Sequence, residues 1–326
     1  MISRVADHCF WLGRYAERAE STARLLAVTR NLALDADLAP RQAWLPVLIV
    51  AGEEPRYVAR YGAAAVEDGE QVQRWLTWED ENPSSLRRSI GAAREAARSI
   101  REVVSLEVWE QLNELHLWAG SERGQATWRE DRHAFYRRVR QSGQALQGIL
   151  SGTMLEDDAL RFIALGTFLE RANQTARILD VQHHAYSALA LHEEVETSLW
   201  LALLRACSGF EPFMKRFQGR VSPAAVARFL VLEPGFPRSV RFALREACAR
   251  LAALRPPDEP HLPGGEALEA LRGLADEVEG QLGGLDRASL HALLTRVVDG
   301  TAAICDTIGR ELLGTTPPPG DVIAGQ

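Results

Sequence analysis

Lysine is almost absent from this sequence of 326 residues: Lys215 is the only one, so the other 36 of its 37 basic residues are arginines. Aromatic residues are also sparse, at 7%. Acidic residues exceed basic ones, giving a net charge of −7, which argues against a nucleic-acid-binding protein that follows the phosphate backbone. Hydrophobic residues at 46% and charged residues at 25% are typical of a globular protein, so the composition excludes wholesale disorder.

Several kinds of site and segment are missing from the sequence. The four cysteines show no CxxC spacing, which argues against a disulfide framework and against a zinc site. Glycine-rich phosphate loops and nucleophile elbows are absent. The N-terminus lacks a basic region followed by an apolar core, and no apolar run approaches a membrane span. These observations predict a cytoplasmic protein without membrane association.

Metal binding receives little support from the spacing of carboxylates and histidines. A ferritin-like di-metal site needs Glu-x-x-His on two helices. The sequence offers Glu130 with His133 and, less fittingly, Asp180 with His183. Because the second pair has no counterpart in the first half of the chain, the prediction is no metal and no cofactor.

The sequence predicts an all-α protein, because helix formers dominate and no segment alternates as a strand would. A proline at the first helical position, after Asn82 as the N-cap, predicts one helix start. The principal predicted helices are Ser3–Leu34, Pro83–Val104, Thr127–Gly152, Glu156–Leu191, Val195–Phe217, Ser222–Leu232, Pro237–Leu254, Glu266–Leu282 and Arg287–Leu313.

The chain repeats itself at an offset of about 153 residues. WLGRYAERAESTARLL, residues 11–26, matches ALGTFLERANQTARIL, residues 164–179. Pro83 aligns with Pro237 and Ser85 with Ser239. These matches predict a helical bundle of two duplicated repeats, about 1–152 and 153–313, packed around a pseudo-twofold axis, with residues 314–326 as a flexible tail.

The repeated helix is apolar on two sides, which places a glutamate of each half inside the protein. One apolar stripe of the first copy is formed by Val5, Leu12, Ala16, Ala19, Ala23 and Leu26. Glu17 lies opposite that stripe, but Phe10 and Val28 share its side of the helix. Glu170 is flanked in the same way in the second copy. Since an unpaired buried carboxylate is very costly, arginines are expected to pair with both.

Pairing within one helix cannot serve both glutamates alike. Arg14 lies one turn from Glu17, whereas the equivalent position in the second half is Thr167. The prediction is therefore pairing across the two helices: Arg18 or Arg24 with Glu170, and Arg171 or Arg177 with Glu17.

Two interpretations of this cluster stay open. In the first, a lattice of ion pairs fixes the register of two long helices. In the second, the cluster is a pocket in which Glu17 or Glu170 acts as general acid or base. The residues that would bind a carboxylate or phosphate in that pocket are Arg14, Arg18, Arg24, Arg171 and Arg177.

At these residues the chain resembles the bacterial alpha-E family, which is defined by a predicted all-helical fold and an ER motif. The resemblance covers about residues 1–313 and includes the segments LGTFLERANQTARILD and FLVLEPGFPRSVRFALR. The ER pairs of the family fall on Glu17–Arg18 and Glu170–Arg171. Thr167 departs from the family pattern, which tends to have an arginine there.

The resemblance also implies a functional setting. Genes of the alpha-E family commonly neighbour, or are fused to, ATP-grasp proteins, and transglutaminase-like peptidases occur nearby. The expected function is therefore an accessory or partner-binding subunit of a system that forms or modifies amide bonds. The expected partners are an ATP-grasp protein and a peptide-like or carboxylate ligand. The alternative is an enzyme of amide or acyl chemistry that uses the Glu/Arg cluster.

Overall fold

Helices form nearly all of the chain that the structure describes. The structure is a computed structural model, and it describes residues 2–35, 38–187, 193–218, 220–255, 261–281 and 287–314. Within these ranges no strand is present, which confirms the predicted all-α class.

The described residues of the first half of the chain form eight helices. In chain order they are α1 Ser3–Asp35, α2 Pro40–Ala51, α3 Glu54–Tyr61, α4 Gly69–Thr77, α5 Leu86–Ser99, α6 Leu106–Gly120, α7 Glu122–Glu130 and α8 Arg132–Thr153, with a 3₁₀ turn at Ala63–Glu67.

The second half follows with seven helices among its described residues. They are α9 Asp158–Ser187, α10 Glu193–Ala206, α11 Phe210–Phe217, α12 Pro223–Leu232, α13 Val240–Leu254, α14 Gly265–Gly280 and α15 Arg287–Ile308, and a short π-helical turn, Gly309–Leu313, ends the described chain.

The two longest helices, α1 and α9, pack against each other at the centre of the molecule. Their backbones meet at two glycines, since a Cβ atom on Gly13 would overlap the carbonyl oxygen of Ile163, and one on Gly166 would overlap that of Phe10. Residues 10–13 of α1 meet residues 163–166 of α9, and residues 14–18, further along α1, meet residues 170 and 171, further along α9, so the two helices run parallel. Only glycine permits this approach.

The other helices surround this pair. Helices α5 and α8 pack on α1, while α13 and α15 pack on α9. Helix α2 contacts α1 and α9, and α10 likewise contacts both. The central pair is therefore covered on all of these sides, which explains why it is apolar on two faces.

Several predicted helix boundaries were wrong, and local capping explains why. Helix α5 begins at Leu86 rather than Pro83, because the hydroxyl of Ser85 accepts the N–H of Arg88 as the N-cap. In the same way Ser239, not Pro237, precedes the start of α13. The helix predicted over Thr127–Gly152 is interrupted at Asp131, whose carboxylate caps α8.

Two other segments predicted to be helical are helical over most of their described residues. The segment Val195–Phe217 is divided between α10 and α11, because the chain turns at Ser208, which has a φ of 54°. The predicted helix Glu156–Leu191 corresponds to α9, and residues 188–192 lie outside the described residues. Most of the predicted tail, 315–326, also lies outside them.

Candidate functional site

The carboxylate of Glu17 is fully buried and is held by one arginine from α9 and one from the turn before α13. Its side chain is 0% exposed. Arg171 of α9 donates to Oε2 at 2.7 Å, and Arg238, just before α13, donates to Oε1. The hydroxyl of Ser21, one turn further along α1, donates to Oε1 at 3.3 Å. Both carboxylate oxygens therefore have charged donors.

A second carboxylate, that of Glu20, belongs to the same cluster. Arg238 donates from its other terminal nitrogen to Oε1 of Glu20 at 2.9 Å, so this one guanidinium bridges two carboxylates. Arg24, also buried, donates to the same oxygen of Glu20. We call Glu17, Glu20, Arg24, Arg171 and Arg238 the first cluster.

Glu170 receives a different set of donors. Arg14 donates to Oε2 from Nε at 2.9 Å and from Nη2 at 2.7 Å. Arg18 donates from Nε to Oε1 at 2.8 Å and from Nη2 to Oε2 at 3.1 Å. Gln174 adds a hydrogen bond to Oε1 at 3.1 Å. We call Arg14, Arg18, Glu170, Gln174 and Arg177 the second cluster.

The helix crossing explains how these side chains meet. Each glutamate follows the glycine of its own helix by four residues, Glu17 after Gly13 and Glu170 after Gly166, which places it one turn beyond the crossing. Because α1 and α9 are in backbone contact there, an arginine one residue further, Arg18 or Arg171, can reach the glutamate of the opposite helix.

The paired arginines decide the ionisation of both glutamates. Burial raises the pKa of the Glu17 carboxyl, but the charges of Arg171 and Arg238 more than offset it, and the pKa falls from 4.5 to about 2. Burial acts in the same direction on Glu170, and the charges of Arg18 and Arg14 again lower its pKa. Both carboxylates are therefore ionised near neutral pH.

The pKa values of the buried arginines of the first cluster shift in opposite directions, according to the charges around each one. Burial lowers the pKa of Arg24, the nearby charge of Arg238 lowers it further, and it settles at about 10 despite Glu20. Burial also opposes the charged form of Arg238, yet Glu17 and Glu20 raise its pKa above the usual value.

The structure confirms pairing across the two helices and selects among the partners that the sequence left open. Arg18 pairs with Glu170, and Arg171 pairs with Glu17. Arg24 does not reach Glu170 and instead pairs with Glu20 on its own helix. The roles of these residues in binding or catalysis stay predictions.

Three further features were missed from the sequence. Arg14 serves Glu170 rather than Glu17, although Glu17 is one turn away on the same helix. Arg238 was not foreseen as a partner, although it follows the repeated proline at position 237 and so could have been noticed. Arg177 makes no hydrogen bond or ion pair within the described residues.

The space beside the first cluster is almost filled. A cavity of about 10 Å³ lies between α1, α5, α6 and α8, with Glu20, Ile90 and Leu112 among its lining residues. A volume of this size holds about one water molecule. The Glu20 side of the first cluster is therefore a packed seam and leaves no room for a substrate.

The described residues were also compared with the arrangements needed for a metal site and for a membrane-spanning helix. Among the described residues no group of three or more histidine, cysteine, aspartate or glutamate side chains is arranged to hold a metal ion. His133 is exposed, and the side chain of His183 lies outside the described residues. No described helix is long and apolar enough to cross a membrane.

Comparison with known proteins gives one family and a few relatives. The family model for Alpha-E, described as a predicted alpha-helical domain with a conserved ER motif, matches residues 1–313. An uncharacterized protein of Mycobacterium bovis and uncharacterized proteins of two Mycobacterium tuberculosis strains are each 28% identical over 303 residues. The match covers 86% of this chain but 32% of each relative, so the chain spans about a third of their length. No solved structure matches.

Proposed function

The chain belongs to the Alpha-E family, and from this membership we propose that it is an accessory or substrate-binding subunit of an ATP-grasp-associated system that forms or modifies amide bonds. The observation that carries the proposal is the length of the relatives: about two-thirds of each lies outside the matched region. In those proteins the helical domain is thus covalently joined to further sequence. A domain that works beside other domains is expected to bind a partner or a shared substrate.

The ionisation of the two ER glutamates supports an accessory role over an enzymatic one. A general acid or base works best when its pKa lies near the operating pH. Glu17 has a pKa of about 2, and that of Glu170 is also lowered. Carboxylates held so firmly ionised are weak bases and hold no proton to donate, so the alternative of an amide or acyl enzyme gains no support from them.

Co-expression with the ATP-grasp protein of the same organism tests the proposal. We expect the two proteins to co-purify, and we expect ATP-dependent amide formation, followed as ADP release and product mass, to need both. Amide formation by this chain alone would contradict the accessory role. Lack of association, together with full activity of the ATP-grasp protein alone, would contradict it as well.

A variant separates the structural from the catalytic role of the clusters. Glu170→Gln is expected to lower stability without a selective loss of activity in the combined assay, because the carboxylate holds Arg14 and Arg18 in place. The control is Glu110→Gln, which changes the same groups at an exposed position of α6. A stable Glu170→Gln protein that has lost turnover would favour the enzyme alternative.

The proposal includes an internal duplication, with repeats of about 1–152 and 153–313 around a pseudo-twofold axis. Helix spacing supports it: α4 starts at 69 and α12 at 223, and α5 starts at 86 and α13 at 240, an offset of 154 in both cases. An experimental structure tests it, since the two halves should superpose by a twofold rotation. Superposition by a different rotation would contradict the axis.

A cytoplasmic location is also part of the proposal, because an ATP-grasp partner consumes ATP. Cell fractionation with an antibody against the chain tests it. Recovery in the membrane or external fraction would contradict it.

A further inference from the structure

The second cluster has more positive than negative charge at close range. The first cluster sets three arginines against two glutamates. In the second, Arg14 and Arg18 both pair with Glu170, and Arg177 lies seven residues, or two helical turns, after Glu170 on the same face of α9. The difference arises at position 173, which corresponds to position 20 in the first half of the chain. The first half has a glutamate there, Glu20, and the second half has an asparagine, Asn173. Arg24 pairs with that glutamate, so Arg177 has lost the equivalent partner.

Other acidic groups do not restore the balance. Glu53 interacts with Arg18 only through its charge, and its ion pair within the described structure is with Arg56 at 3.1 Å. Asp299 acts on Arg177 through its charge, but it is exposed on α15 and forms no ion pair with Arg177 within the described structure. Asn173 is itself engaged, donating to the hydroxyl of Thr301 at 2.9 Å.

Several N–H groups of the second cluster have no protein acceptor among the described residues. Arg14 and Arg18 use Nε and Nη2 for Glu170, which leaves Nη1 of each without a hydrogen bond there. Arg177 uses none of its nitrogens in this way. A guanidinium carries five N–H donors in a planar fork that fits the oxygens of a carboxylate or phosphate.

The position of these arginines makes the missing charge significant. Arg14 is 13% exposed and Arg18 21%, so the cluster is largely desolvated but still reaches the surface. Burial lowers the pKa of Arg177, and the charge of Arg18 lowers it further, while that of Glu170 raises it. Buried charges in proteins are normally paired, so an excess of guanidinium groups favours an anionic ligand.

We propose that Arg14, Arg18 and Arg177 form a binding site for a small oxyanion, either a phosphoryl group or a carboxylate. The unused N–H groups of the three arginines would contact its oxygens, and Glu170 would hold Arg14 and Arg18 in position without touching the ligand. The site belongs to this chain alone, so it goes beyond the proposed partnership and does not depend on it.

Binding is measured on the purified full chain at low ionic strength, by calorimetry and by the shift of Tm. The probes are inorganic phosphate and succinate, with sodium chloride at matched ionic strength as the reference for screening. We expect at least one probe to bind and to raise Tm, because a ligand bound only by the folded state stabilises it. Phosphate alone would identify a phosphoryl ligand, succinate alone a carboxylate, and both the shared oxyanion chemistry.

Arg177→Gln is the decisive variant. Because Arg177 contacts no other described residue by hydrogen bond or ion pair, we expect the variant to fold with an unchanged or higher Tm and to bind about tenfold more weakly or worse. Arg177→Lys keeps the charge but loses the fork, and an intermediate affinity is expected. Arg228→Gln is the control, since it removes one exposed arginine charge from α12.

Two results would overturn the proposal. One is the failure of the wild-type chain to bind either probe beyond the chloride reference. The other is equal binding by the wild-type and Arg177→Gln chains, which would identify an adventitious ion only. Neither result depends on the ATP-grasp assay, so the two proposals can fail separately.

Discussion

Replacing Glu17 by glutamine removes one negative charge from a fully buried side chain of the first cluster and leaves the shape of that side chain nearly unchanged. The carboxylate accepts hydrogen bonds from Arg171 at 2.7 Å and from Arg238, and its side chain is 0% exposed. A glutamine has one oxygen to offer, and its amide group would face one of the two guanidiniums as a competing donor. The variant therefore leaves at least one arginine buried without a counterion.

The size of the effect follows from two independent considerations. Removing one partner of a buried ion pair typically costs about 3–5 kcal/mol. The fall in the pKa of Glu17 from 4.5 to about 2, at about 1.4 kcal/mol per pKa unit, corresponds to about 3–4 kcal/mol. The two values agree, so we expect Glu17→Gln to lower the free energy of unfolding by about 3 kcal/mol.

Urea denaturation at neutral pH, followed by far-ultraviolet circular dichroism, measures this loss. The control is Glu110→Gln, the same change at an exposed position of α6, which is expected to stay within about 0.5 kcal/mol of wild type. A loss of less than about 1 kcal/mol in Glu17→Gln would refute the reasoning, because a buried charge pair cannot be broken so cheaply.

Three more predictions concern the rest of the fold. Gly13→Ala should destabilise the protein by about 1–3 kcal/mol or more in urea denaturation, because the added Cβ overlaps the carbonyl oxygen of Ile163. The control is Gly148→Ala, which has open space around it and should stabilise the protein by about 0.5–1 kcal/mol. The lowered pKa values of Glu17 and Glu170 stabilise the folded state fully above about pH 4.5, and this stabilisation should be lost as the pH falls toward 2. An acid titration followed by circular dichroism measures the loss. Variants that lack either carboxylate should lose less stability over this pH range than the wild-type chain. Burial raises the pKa of both Cys9 and Cys207 to about 12, so neither thiol should react with iodoacetamide at pH 8 until the chain is unfolded, and mass spectrometry of the native protein showing either one alkylated would contradict this.

The sequence was sufficient for the helices and for the burial of the two glutamates, since both depend on local patterns. Hydrophobic residues on two sides of α1 and α9 indicated central helices, and Glu17 and Glu170 are indeed 0% and 1% exposed. Helix starts were less predictable, because a proline and the serine two residues later compete as boundary signals. At Ser85 and Ser239 the serine hydroxyl prevails as the N-cap.

The pairing pattern could be predicted only in part. Pairing across the two helices could be predicted from the repeat, since an arginine, Arg14, lies one turn before Glu17 but a threonine, Thr167, lies one turn before Glu170. The structure has such pairing in both directions. Which arginine pairs with which glutamate could not be predicted, because an arginine side chain is long and flexible enough for several of them to reach the same carboxylate. Arg14 turns to Glu170 rather than to Glu17, and periodicity contains no information on this choice.

By itself, the sequence determined an all-helical protein in which two long helices of similar sequence each carry a buried, arginine-neutralised glutamate, because periodicity and charge are properties of the chain. Only the tertiary structure decided that Arg238, 221 residues from Glu17, completes the first cluster and that Arg177 has no hydrogen bond or ion pair with any residue in the described part of the chain. The physical reason is that an ion pair depends on the distance between the two charged groups in the folded protein and not on their separation in the sequence. That distance depends on how closely Gly13 and Gly166 allow the two backbones to approach and where the turn before α13 lies.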